Sequence, residues 1–134
     1  MFLDTSFCVD LIREQRRGKH GPATRMLRSL GDTPLFVSVF ALCELDAGAR
    51  LSRDTEEEFR GLAKLTEFVP VVYPDPAFPG AYGEIEAHLR RNGTPIPTMD
   101  VLIAALARLH GEPLLARHTE HFARIPGLVV QTYG

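Results

Sequence analysis

The sequence predicts an α/β fold in which a mainly parallel sheet of four to five strands is flanked by helices. Five short apolar runs, beginning at Met1, Leu35, Pro70, Pro113 and Leu128, alternate with longer stretches of helical periodicity, and parallel neighbours require crossovers of that kind. A chain of 134 residues with 45% hydrophobic and 24% charged side chains can also bury one ordinary core. No internal repeat, low-complexity tract or interdomain linker interrupts it, so residues 1–134 read as a single domain.

Met1 to Asp4 forms the first strand, with Thr5 and Ser6 as cap candidates for a helix that carries Cys8, Val9, Leu11 and Ile12 and fades at Gln15-Arg16-Arg17-Gly18. Gly21-Pro22 starts a second helix through Met26, Leu27 and Leu30, which Gly31 closes. Leu35-Phe36-Val37 is the second strand, and Ser38 caps a third helix reaching about Leu51. Its residues are apolar around most of the circumference, the pattern of a buried helix, and Glu44 sits inside it.

Thr55-Glu56-Glu57-Glu58 has capping-box spacing and opens a helix through Phe68, followed by a third strand over Pro70-Val71-Val72-Tyr73. Asp75-Pro76 caps the next helix, which runs to Asn92-Gly93. After the proline-spaced Thr94-Pro95-Ile96-Pro97, Thr98 is the N-cap candidate of a helix with almost no polar face from Val101 to Ala107. Pro113 to Ala116 is the fourth strand, Thr119 to Arg124 a short helix, and Leu128 to Val130 the fifth strand.

Composition narrows the function classes. No apolar run approaches the roughly 18 residues of a membrane span, and the chain opens on a strand-like segment rather than a charged leader, so the expected location is cytoplasmic. Cys8 and Cys43 lie among apolar neighbours without CxxC or histidine-rich spacing, and both are expected in the core. A formal charge of −2 supplies no global attraction to nucleic acid. Polyanion binding must then rest on metal or on local groups such as Arg13, Arg16, Arg17 and Lys19, Arg50 and Arg53, or Arg90 and Arg91, which also read as ordinary solvated helix faces.

The acids carry the chemistry. Ligands of parallel sheets bind beyond the carboxyl ends of the strands, and Asp4 stands at such an end, with Glu44 on the helix after the second strand and Asp100 in the first turn of the helix before the fourth. Each has a structural reading: Asp4 as a helix cap, Asp100 as a complement to a helix dipole, Glu44 as an arginine's partner. Burying unpaired carboxylates costs several kcal/mol, however, and a divalent cation supplies the compensation. Oxygen-only ligation favours Mg²⁺ or Mn²⁺ over zinc, and the natural reaction of such a site is attack of water on a phosphodiester.

Phe2-Leu3-Asp4-Thr5-Ser6, Ser38 to Leu45 with Gly48-Ala49, and Asp100 to Ala107 resemble the successive motifs of PIN-domain ribonucleases. Leu114 to Arg117 and Phe122 to Leu128 resemble the C-terminal motif of the VapC-type toxins of bacterial toxin-antitoxin pairs. The match runs in order over essentially the whole chain. The resemblance implies a PIN-like three-layer fold, a Mg²⁺-dependent endoribonuclease acting on RNA, a homodimer, and a cognate antitoxin that blocks the acidic cleft. By the same resemblance Asp4, Glu44 and Asp100 are catalytic metal ligands, and Thr5 or Ser6 occupies the small polar position after the first aspartate. Ser6 orients a ligand or water on one reading and caps the helix on the other.

The last motif departs from the family. Many relatives place an aspartate or asparagine within the stretch that here reads Arg117-His118-Thr119-Glu120-His121-Phe122. His118 falls at that polar position, where contact with phosphate or metal-bound water is one reading; His121 is read as a surface histidine. Asp10, six residues after Asp4 and off its face, is expected to be a surface group or a support behind the ligands rather than a ligand, and Asp46, Glu84 and His88 are expected to be surface groups. The rival function is a catalytically weakened RNA-binding or partner-binding module. A phosphoryl transferase using Asp4 as nucleophile is disfavoured, because no second aspartate follows two residues on and no glycine-rich phosphate loop is present.

Overall fold

A computed structural model describes residues 1–133. The elements run in the order β1 (Phe2–Leu3), α1 (Thr5–Arg16), α2 (Pro22–Leu30), β2 (Val37–Ser38), α3 (Val39–Leu51), α4 (Thr55–Phe68), β3 (Val71–Val72), α5 (Phe78–Arg91), α6 (Thr98–Leu109), β4 (Leu114–Leu115) and β5 (Val130–Gln131), with a 3-10 turn at Phe122–Arg124. Every ladder is parallel: β1 pairs with β4, β4 with β5, and β2 with β3. A single parallel bridge between Phe2 and Phe36 joins the two ladders, held by Leu3 N–H to the Phe36 carbonyl and Phe36 N–H to the Met1 carbonyl, both 2.9 Å. The spatial order is therefore β3-β2-β1-β4-β5. The chain winds outward from β1 in both directions, which makes the carboxyl end of β1 the switch point where such sheets bind ligands.

The strands are short because only two residues of each keep ladder geometry. β5 is displaced from the expected Leu128–Val130 because Gly127, at φ +76°, turns the chain first, and Val130 is the residue that meets Leu114. β2 is similarly displaced, to Val37–Ser38. The expected short helix after Thr119 is reduced to the 3-10 turn at Phe122–Arg124.

Phe2, Leu3, Leu114 and Leu115 are buried and form the centre of the core with Phe7, Leu11 and the run Ile103 to Ala107 of α6. Fully burying each large aliphatic or aromatic side chain contributes roughly 1.5–3 kcal/mol. α6 packs on α5, while α1 packs on α2, α3 and α4. Gly61 permits the α1–α4 approach, since a Cβ there would stand 2.6 Å from Ile12 Cγ2. Because Ile12 is β-branched, that methyl has little freedom to move.

Several caps fall one residue or more from their expected positions. Asp54, not Thr55, caps α4 by accepting from Glu57 N–H. Asp75 makes a turn, accepting from Ala77 N–H at 2.8 Å, and α5 begins only at Phe78. Pro97 holds the cap position of α6, so Thr98 is its first helical residue. Ser38 caps α3 as expected, accepting from Ala41 N–H at 3.0 Å. Gly21 offers α2 no side-chain cap, and Glu14 of α1 fills the role from outside by accepting from Ala23 N–H and Thr24 N–H at 3.0 and 2.8 Å.

α3 also differs from expectation. Only Ala41, Leu45 and Ala49 are buried, while Cys43 is exposed and Leu51 is 88% exposed. A pattern that is apolar all round does not tell which side a neighbour covers, and here one side has none. Cys8 is in the core as expected, where burial and the Asp4 charge push its thiol far above the ordinary range. Asp46 pairs with Arg50 and Glu84 with Arg108 on the surface, and His88 is exposed.

Candidate active site

Asp4 leaves β1 and becomes the N-cap of α1, which fixes its carboxylate at the switch point. Its Oδ2 accepts from Ser6 Oγ–H at 2.8 Å and from Ser6 N–H at 3.4 Å. Thr5 and Ser6 are thus helical residues, and the cap between them and the strand is Asp4 itself. Ser6 Oγ in turn accepts from Arg117 N–H at 3.1 Å, so the segment that leaves β4 braces the first turn of α1. Burial pushes the Asp4 carboxyl above the usual aspartate range; the Ser6 hydroxyl opposes this, and the charge of Asp100 adds to it.

Asp100 reaches the same place from the first turn of α6. Its Oδ2 lies 2.8 Å from Nδ1 of His121, which corrects the reading of His121 as a plain surface residue. The ring is 48% exposed, yet the turn leading into Phe122 brings it onto the carboxylate. Asp4, Ser6, Asp100, His118, Glu120 and His121 line one cavity of about 330 Å³, closed on one side by buried Phe122. His118 therefore stands where contact with a ligand of the cavity is open to it.

Glu44 is placed differently. Its Oε1 accepts from Thr5 Oγ1–H at 2.6 Å, one residue from Asp4, but the side chain lines a neighbouring groove of about 290 Å³ between α1, α3 and α4 with Val9, Ile12 and Leu62. Thr5 and Ser6 thus divide their work: one hydroxyl holds Glu44, the other Asp4. Among the described residues, no three His, Cys, Asp or Glu side chains are grouped closely enough to cage a cation. Asp4 and Asp100 are the acids whose charges act on each other across the cavity.

Asp10 is not an idle surface group. It binds the Arg117 guanidinium through both carboxylate oxygens and accepts from Tyr133 O–H at 2.7 Å. The Tyr133 ring packs edge-on against Phe7 with centroids 5.0 Å apart. These contacts fasten the C-terminal segment to α1 and hold the Arg117 backbone against Ser6. A lone aspartate six residues after Asp4 gave no sequence signal for this, because its partners lie 107 and 123 residues away.

The PIN domain model matches residues 1–128. The chain is 31% identical over 127 residues to the tRNA(fMet)-specific endonuclease VapC of Shigella flexneri, covering 94% of this chain and 92% of that protein. It is 30% identical to Ribonuclease VapC1 of Haemophilus influenzae strain R2866, covering 98% of this chain and 96% of the relative. Among solved structures, the DNA-bound VapBC of Salmonella typhimurium superimposes with a TM-score of 0.87 at 27% identity, over 98% of this chain and 96% of that one. VapBC2 of Rickettsia felis bound to a promoter DNA fragment gives 0.89 at 24% identity, over 99% and 98%, a likeness of fold. On the PIN-domain match over residues 1–128 and the VapC relatives over nearly the whole chain, this chain belongs to the PIN-domain family and, within it, to the VapC group.

Proposed function

We propose that this protein is a divalent-metal-dependent endoribonuclease and the toxin of a toxin-antitoxin pair. The observation that carries the reading is the Asp4–Asp100 pair: a buried carboxylate pushed upward by burial and by a second carboxylate on the same cavity is a site that gains from a hard cation. The oxygen donors fit Mg²⁺ or Mn²⁺, with Asp4 and Asp100 as the holders and Glu44 approaching from the Thr5 side. An ion held there would supply Lewis acidity for the attack of water on the phosphodiester. Ser6 and Arg117 N–H keep the Asp4 carboxylate aimed, His121 fixes Asp100, and His118 is available to the phosphate at the cavity mouth.

The ribonuclease names of the VapC relatives support RNA as the substrate, and the VapBC assemblies support an antitoxin partner. A homodimer acting in the cytoplasm completes the proposal; no described helix is long and apolar enough to cross a membrane. Light scattering of the purified chain and co-purification of a small partner protein with the chain expressed in its native host test the assembly.

His121 on Asp100, together with the lack of a ready-made three-residue cage among the described residues, favours a second reading, a PIN-like binding module with weakened turnover. Metal-stripped protein given a structured RNA pool separates the two. Cutting restored by Mg²⁺ or Mn²⁺ and lost in Asp4→Asn supports the enzyme; no cutting by folded wild type with either metal supports the module.

A further inference from the structure

A second cleft, of about 460 Å³, lies between the end of α1, the loop into α2 and the C-terminal segment, and its walls carry Arg13, Arg17, Lys19 and Arg117. Two acids also line it, and both are already committed. Glu14 accepts from the α2 N-terminus, and Asp10 is held by Arg117 and Tyr133. The ion pairs among the described side chains use Arg16, Arg50, Arg60, Arg90, Arg108 and Arg117; none uses Arg13, Arg17 or Lys19. Those three are exposed.

Cations at a helix C-terminus complement its dipole, which accounts for Arg13 and Arg17 on α1. It does not account for the convergence of the other two on one concavity. Gly18, at φ +63°, reverses the chain, and Lys19 N–H bonds back to the Glu14 carbonyl at 3.0 Å, so Lys19 returns to the cleft. Arg117 arrives from the opposite end of the chain. Its N–H bonds Ser6 Oγ, and Ser6 and the adjacent His118 line the acidic cavity, so the cleft and the cavity share the Ser6–Arg117 wall.

We propose that this cleft is the track for the RNA backbone flanking the scissile phosphate, with Arg13, Arg17 and Lys19 as its phosphate contacts. The inference rests on the ribonuclease reading and adds to it the surface that holds the substrate. A chain of net charge −2 whose reaction cavity is walled by Asp4, Asp100 and Glu120 repels a polyanion. A cluster of uncommitted cations in the cleft that the Ser6–Arg117 hydrogen bond joins to that cavity supplies the attraction locally.

The test compares wild type, the triple variant R13Q/R17Q/K19Q and a control, R60Q/K64Q on α4, by fluorescence anisotropy with a labelled single-stranded RNA in EDTA over a range of salt. Three lost phosphate contacts should weaken binding at least tenfold at moderate salt and lower the slope of log K against log salt by about 2; the control should match wild type. With Mg²⁺ or Mn²⁺ added, the triple variant should show a raised KM with kcat retained, the signature of lost uniform binding. Unchanged affinity and slope in a triple variant whose parent binds and cuts RNA would overturn the track alone. A parent that neither binds nor cuts RNA would overturn the ribonuclease reading as well. A triple variant that binds RNA normally but loses affinity for a polyglutamate peptide would reassign the cleft to an acidic protein segment, and a fall in kcat at constant KM would place these residues in the chemistry instead.

Discussion

His121 holds Asp100: its Nδ1 stands 2.8 Å from the carboxylate Oδ2, joining the first turn of α6 to the turn after β4 across 21 residues of sequence. An ionised carboxylate only accepts hydrogen bonds, so this ring nitrogen donates and fixes one oxygen of Asp100. The other oxygen is left for the cavity.

Partners of this kind orient a ligand, and removing one costs roughly 10–100-fold in metal affinity or activity. His121→Ala should therefore weaken Mn²⁺ binding by about that factor, measured by calorimetry on the purified protein. His121→Asn, which keeps a donor, should recover part of it. Tighter binding in His121→Ala would mean that the histidine competes with the cation rather than positioning its ligand.

Asp4 should cost the metal-free fold stability at neutral pH. Its carboxyl is raised in the folded state by burial first, so the fold favours the neutral form. Its contribution is complete below the unfolded aspartate value of about 3.9 and is lost as pH rises through the raised folded value. Asn caps a helix as well as Asp does, so Asp4→Asn removes the charge and keeps the cap. In EDTA the variant should melt above wild type at neutral pH, and the difference should close in acid. Mn²⁺ at a hundred times its dissociation constant should add about 2.7 kcal/mol to wild type and leave the variant unchanged. A variant that melts below wild type at neutral pH in EDTA would show that burial of the charge is already compensated.

The two ends of this site were not equally readable in the sequence. Asp4 was legible because strand ends, apolar flanks and a following helix are local features, and the placement rule for parallel sheets does the rest. The five strands and six main helices were legible for the same reason, through periodicity and Gly-Pro punctuation. The Asp100–His121 and Asp10–Arg117–Tyr133 contacts join residues remote in sequence, and no spacing rule connects them. Cys43 was misplaced because an all-apolar helix pattern does not reveal which side is covered. Thr55 and Thr98 were misassigned because a better-placed neighbour, Asp54 or Pro97, holds the cap position.

Ser6 is the joint between these layers, donating to Asp4 and accepting from Arg117 N–H. Ser6→Ala leaves Arg117 N–H without its acceptor and Asp4 Oδ2 with only the longer bond from the residue 6 N–H, a loss on the order of 1–3 kcal/mol. The midpoint of urea unfolding should fall accordingly, and Mn²⁺ affinity should fall with it because Asp4 is no longer aimed. Ser6→Thr restores the hydroxyl and should recover both. Full Mn²⁺ affinity in a destabilised Ser6→Ala would reduce the residue to a purely structural one.

Glu14 provides the sharpest test of the fold apart from the site. Its two carboxylate oxygens bind Ala23 and Thr24 N–H in place of the cap that Gly21 lacks. A side chain at Gly21 would enter the same space, since a Cβ there would stand 2.4 Å from the Glu14 carboxyl carbon. Burial raises the Glu14 carboxyl, but the Thr24 and Ala23 contacts outweigh it and the net shift is downward. Its stabilisation is therefore present above the unfolded glutamate value of about 4.3 and disappears as pH falls through the lower folded value. Glu14→Gln retains one acceptor and loses the charge facing the helix N-terminus, so it should cost about 1 kcal/mol at neutral pH. Denaturation of both proteins across an acid series should show that gap shrinking towards zero as Glu14 protonates. A gap that persisted unchanged into strong acid would mean that the glutamate acts through shape rather than through charge on the α2 N-terminus.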